Sequence, residues 1–137
     1  MWIDQLYDVL EACLSGSHAG LLSVPDIPGV APLPVHYQSR QLAVTCLIPR
    51  WSDLAEALQH QSTALIIPAS PDPQCWLQYQ GQVRLVSAAA WGSVPGGLTA
   101  QQANERFLVV ALIPQRLDLF DEQRGWGARE TLDLART

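Results

Sequence analysis

Three histidines (His18, His36 and His60) and three cysteines (Cys13, Cys46 and Cys75) are the side chains of this sequence best suited to metal binding or nucleophilic chemistry. No two histidines stand at the i, i+4 spacing that sets two ligands on one helical face. None has a cysteine or carboxylate in a zinc-like register, so metal binding is not expected. The cysteines are odd in number, widely spaced and in no CxxC pair, which reads as reduced, buried thiols. "GSHAG" and "GSVPGG" contain serine and glycine without the strand–nucleophile–helix setting of a nucleophile elbow. "VPGG" lacks the spacing of either glycine-rich phosphate-binding motif. Lysine is absent, which removes Schiff-base catalysis by a side-chain amine. Any phosphate must then be met by arginine, by hydroxyls or by backbone N–H groups. Asp118, Asp121 and Glu122 read as a solvated turn rather than an acid–base pair.

The balance of the chain narrows the functions further. Its 137 residues are 48% hydrophobic and 15% charged, which suits one packed domain over residues 1–137. A charged fraction below the usual quarter fits a subunit that hides surface in an oligomer. The net charge is −5, with eight arginines and no basic cluster, and that excludes a phosphate-neutralising nucleic-acid binder. No signal-like start and no apolar run of bilayer length is seen, so a cytoplasmic protein that does not enter membranes is expected.

Periodicity supplies the elements that must position these residues. In "MWIDQLYDVLEACLSG" the residues Trp2, Leu6, Val9, Leu10, Cys13 and Leu14 recur at helical spacing, and Gly16 is a stop signal. Three short strands are expected near 19–25, 30–37 and 41–48, with "YQSRQ" turning the second into the third. A helix capped by Ser52 comes next, with Trp51, Leu54, Ala55 and Leu58 on its apolar face and His60 at its end. "STALIIPAS" is a fourth strand, and "CWLQYQGQVRLVSAAA" a fifth in which Gly81 marks a bulge or bend. A short helix capped by Thr99 leads to "FLVVALIPQRLDLFD", read as two strands broken at Pro114, and the tail adds a last extended segment. Trp2, Trp51 and Trp76 are assigned to packing in the core or an interface. The order suits a mainly β protein: a small antiparallel barrel with helices outside it.

This order, with "SHAGLLSV", "PLPVHY", "QLAVTC", "RWSDLAEALQHQSTALII" and "VVALIPQRLDLFD" before "GWG", resembles the pyridoxamine 5'-phosphate oxidase-like family over roughly residues 2–134. The resemblance implies an FMN-binding split β-barrel that forms a homodimer, with the flavin in a cleft between subunits. It places Thr45, Arg50 and Ser52 at the phosphate and Pro34, Val35 and His36 along the ring system. Trp126 in "GWG" is expected at the interface or cleft. Cys46 stands where a second small hydroxyl residue is expected, and Arg84 and Arg116 supply a second cation if they face the cleft. The activity implied by the resemblance is that of an FMN-dependent oxidoreductase of unknown substrate, with a cofactor-free scaffold barrel and a heme-binding relative as the alternatives.

Overall fold

Helix α1 (Ile3–Ser15) buries Leu6, Leu10 and Leu14, one residue per turn along a single stripe. These leucines meet the inward side chains of an antiparallel sheet that closes on itself. The computed structural model describes residues 3–70, 74–88, 91, 95–122 and 129–134. Strands β1 (Ala19–Ser23), β2 (Leu33–Arg40), β3 (Ala43–Pro49), β4 (Thr63–Pro68), β5 (Cys75–Val86), β6 (Phe107–Asp121) and β7 (Arg129–Asp133) form one sheet of order β3-β2-β1-β4-β5-β6-β7. A further pairing of β3 with β6 closes six of them into a barrel. Helices α2 (Asp53–Leu58) and α3 (Ala100–Arg106) lie in the crossings on either side of β4 and β5. No helix among the described residues is long and apolar enough to cross a membrane.

The local signals account for these elements. The Ser52 Oγ accepts from the Ala55 N–H at 3.1 Å, which caps α2 as expected. Thr99 opens α3 with a full capping box. Its Oγ1 accepts from the Gln102 N–H, and the Gln102 side chain accepts from the Thr99 N–H. Two expectations are corrected at β2 and α2. Arg40 pairs with Ala43, so β2 runs through "YQSR" and the turn is only Gln41 and Leu42, with Gln41 at φ 55°. Trp51 precedes α2 and is 82% exposed; only Leu54, Ala55 and Leu58 form the buried face.

Strand β6 also departs from its sequence pattern. Pro114 does not end it. Gly81 pairs with Pro114 and Gln80 with Arg116, so Gln115 is an extra residue on the β6 side of a bulge. Proline has no N–H to give the ladder, and an irregularity is where that loss costs least. The extra residue also inverts the alternation. Leu108, Val110 and Leu112 point inward before it, and Leu117 and Leu119 after it. The first half of β6 pairs with β3 and the second with β7, while β5 accompanies both. This handover is what splits the barrel.

The interior is filled by Tyr37, Tyr79, Leu112, Ile66 and their neighbours, with Cys46 among them. At the bulge the strands approach so closely that only glycine fits. A Cβ on Gly81 would stand 2.9 Å from the Leu112 Cβ and 2.9 Å from the Tyr79 Cε1. Gly81→Ala is therefore expected to lower stability by about 1–3 kcal/mol, read as a fall in the urea midpoint. An unchanged midpoint would show that the barrel has slack there.

Candidate functional site

Strict alternation assigns each residue of β2 and β3 to one side of the barrel. Val35 and Tyr37 of β2 point into the core, while Pro34, His36 and Arg40 are exposed on the outer side. On β3, Val44, Cys46 and Ile48 fill the core and Thr45 faces outward, half-buried. Cys46 is thus back to back with Thr45, and burial pushes its thiol up to about 12. It offers nothing to a ligand on the outer face.

The registers turn the outer face into rows. Gln38 of β2 pairs with Thr45, Thr45 with Ala111 of β6, and Ala111 with Arg84 of β5. Thr45 and Arg84 are therefore two strand spacings apart, about 10 Å between backbones. In the ladder the residue between them is Ala111. The next row is His36, Leu47, Val109 and Val86. Its middle pair is covered by a small second core, where Ala88, Trp91 and Ala103 pack on Leu47 and Val109. The result is a polar shelf with a hydrophobic wall along one side and the exposed Pro34 and His36 at its margin. Arg84 is exposed on this shelf.

Arg50 and Ser52 lie elsewhere. Along an extended strand the Arg50 and Thr45 backbones are about 16 Å apart. The Arg50 Nε donates to the Asn104 carbonyl at 2.7 Å, and its backbone N–H donates to the Arg106 carbonyl at 3.0 Å. Asn104 in turn accepts from the Ala88 N–H at 2.8 Å through Oδ1. Arg50 thereby fastens the end of β3 to α3 and, through Asn104, to the wall of the shelf. The Ser52 hydroxyl is used on both sides: it donates to the Pro49 carbonyl at 2.7 Å while it caps α2. Trp126 lies outside the described residues.

Arg116 is committed as well, and Asp118 is no solvated turn residue. Asp118 lies within β6 and is 8% exposed. It accepts from the Arg116 Nε at 3.1 Å and from the Thr131 hydroxyl at 2.6 Å, with the Arg129 Nε at 4.0 Å. The cluster sits where β7 joins β6, beside the stacked rings of Trp76 and Phe120, whose centroids are 4.1 Å apart. Through Thr131 and Arg129 it ties β7 to β6. The pairing of Thr45 with Arg84 had no local sequence signal, because it arises from two ladders that join residues far apart in the chain.

No family model matches the sequence, and no curated protein matches it. Solved structures do match its fold. A Clostridium acetobutylicum protein related to general stress protein 26 of B. subtilis, of the pyridoxinephosphate oxidase family, superposes with a TM-score of 0.77 at 8% identity, over 98% of this chain and 99% of its own. A pyridoxamine 5'-phosphate oxidase-related, FMN-binding protein of Nostoc punctiforme PCC 73102 gives 0.59 at 15% identity, over 97% and 96%. A heme-binding protein of Mycobacterium smegmatis gives 0.63 at 20% identity, over 90% of this chain and 56% of its own. The chain thus has the split-barrel fold of these proteins, as the sequence resemblance implies.

Proposed function

We propose that the outer shelf of β2, β3, β6 and β5 binds FMN between two copies of the chain, and that the protein is a flavin-dependent oxidoreductase. The observation that carries this reading is the row Gln38–Thr45–Ala111–Arg84. It puts a hydroxyl and a guanidinium on either side of a small residue, which is a donor set that a phosphate monoester accepts. Here Thr45 and Arg84 hold the phosphate above Ala111, and Gln38 is a further donor beside Thr45. Pro34 and His36 flank the ring system; Val35 contributes only backbone, since its side chain is in the core. Arg50 and Ser52 support the site by fixing α3, α2 and the end of β3. The wall built on Trp91 keeps water from one side. When bound, the flavin supplies the hydride or electron transfer, and the chain supplies binding and orientation.

A second copy completes the cleft. Val86, a large apolar side chain exposed on this face, would be covered in a homodimer. The proposed place of Trp126 is at the partner's cleft. Three cysteines outside any disulfide among the described residues suit a reducing, cytoplasmic setting. A heme-binding reading rests on the exposed His36 and on the likeness to the mycobacterial protein.

The visible spectrum of the purified chain, then a titration with FMN, tests both readings. Wild-type protein is expected to quench FMN fluorescence at micromolar concentration and to elute as a dimer. Arg84→Ala is expected to weaken FMN binding by roughly 10- to 100-fold, while riboflavin, which lacks the phosphate, is little affected. A chain that leaves FMN fluorescence unchanged would sink the flavin reading, and a heme spectrum lost in His36→Ala would favour the alternative.

A further inference from the structure

The proposed function leaves two chemistry-bearing side chains unused. Cys13 of α1 and Cys75 at the start of β5 line one cavity of about 370 Å³, whose other walls include Val9, Ala12, Pro68 and Leu77. No charged side chain among the described residues lines it. Both thiols are half-buried, whereas Cys46 is sealed in the core. Burial, and then the hydrogen-bonded Cys75 thiol, raise Cys13 above the ordinary thiol range. Two elements distant in sequence thus bring a pair of thiols together at an accessible, largely apolar wall, with Asp121, the ladder partner of Cys75, close enough to add to the rise at Cys13.

We propose that Cys13 and Cys75 are a redox-modification site, oxidised by hydrogen peroxide to an intrachain disulfide that ties α1 to β5. One sulfur attacks a peroxide oxygen, giving a sulfenic acid and releasing the other oxygen as water. The second sulfur then attacks the sulfenic sulfur and expels its oxygen as a second water. Two electrons and two protons leave the dithiol, and one peroxide becomes two waters. The link joins two walls of the cavity, so the cavity's shape depends on the redox state.

The sequence makes the test unusually direct. Trypsin cuts this lysine-free chain only after arginine, and Arg40, Arg50 and Arg84 separate the three cysteines into peptides Met1–Arg40, Gln41–Arg50 and Trp51–Arg84. The full-length protein is treated with hydrogen peroxide, its remaining thiols are alkylated in denaturant, and the digest is weighed before and after reduction. The expected product links Met1–Arg40 to Trp51–Arg84 within one chain, with Cys46 alkylated and unoxidised. In Cys13→Ser and in Cys75→Ser, a sulfenic acid on the remaining thiol of the pair is expected to accumulate and to be captured by a 1,3-dicarbonyl reagent. Oxidised wild type is expected to show a higher urea midpoint than the reduced protein. A link through Cys46, a link between chains, or the absence of any link after both thiols have had time to react would overturn the proposal.

Discussion

Between pH 9 and pH 12 the protein is expected to lose its fold in one cooperative step, with phenolate absorbance rising together with the loss of far-ultraviolet dichroism. Burial raises the Tyr37 hydroxyl from 10.0 to about 12 and the Cys46 thiol from 9.0 to about 12. Burial raises Tyr79 further still, and Cys13 in the same direction. All are neutral when protonated, so the folded state prefers the form present at low pH. The unfolded chain releases these protons at ordinary values, and stability is therefore complete below pH 9 and falls as pH climbs toward 12. At about 1.4 kcal/mol per tenfold, the loss by pH 12 is roughly 3 kcal/mol from Tyr37 and roughly 4 kcal/mol from Cys46. That sum is comparable with the whole stability of a chain this size, about 7–20 kcal/mol. Tyr37 and Tyr79 ionising near pH 10 with the dichroism intact would contradict the burial on which this rests. The measurement is made under reducing conditions so that thiol oxidation does not intrude.

Tyr79 carries the largest single-residue effect. It is fully buried, and its hydroxyl donates to the Leu42 carbonyl at 2.6 Å and lies 3.1 Å from the Leu112 carbonyl. One side chain on β5 thus reaches the β2–β3 turn and the barrel-closing half of β6 together. Tyr79→Phe keeps the ring and leaves the Leu42 carbonyl without this donor, at about 1–3 kcal/mol. Tyr79→Ala removes the ring as well, and about 3–5 kcal/mol is expected from the cavity and lost contacts. The phenylalanine variant has a further signature. It has one buried ionisation fewer, so its stability falls less steeply with alkaline pH, and the gap from wild type narrows above pH 10. Parallel curves would mean that Tyr79 does not resist ionisation in the folded state.

The sequence was most legible where a signal is local. The leucine stripe of α1, the caps at Ser52 and Thr99, and the glycine at the β5 irregularity each derive from a few adjacent residues. It was least legible where the ladder decides. Pro114 reads as a break because proline usually ends a strand, yet the bulge absorbs its missing N–H and lets β6 continue. "YQSR" reads as a turn because it is polar, yet its outer side faces the shelf and its inner side supplies Tyr37. Asp118 reads as solvated because its partner Thr131 comes from the next strand. Of the expected phosphate residues, Thr45 faces the shelf, while Arg50 and Ser52 are engaged by α3 and α2. Arg84 gains its place only from pairing across β6. None of these pairings leaves a mark in residue spacing.

The closure of β3 on β6 also bears on how the chain assembles. Thr45 and Ala111 are neighbours in the ladder but lie about half the chain apart in sequence. Closing so long a loop costs entropy before any contact repays it, and such non-local pairing slows folding. The β1–β2–β3 meander can form early, carrying Thr45 and His36, but Ala111 and Arg84 join them only at closure. A species trapped short of that step holds half a shelf and has no grip on a ligand that needs both halves. Whatever occupies the shelf therefore acts on the rate of global opening rather than on partly folded forms, and its loss would surface first as faster unfolding.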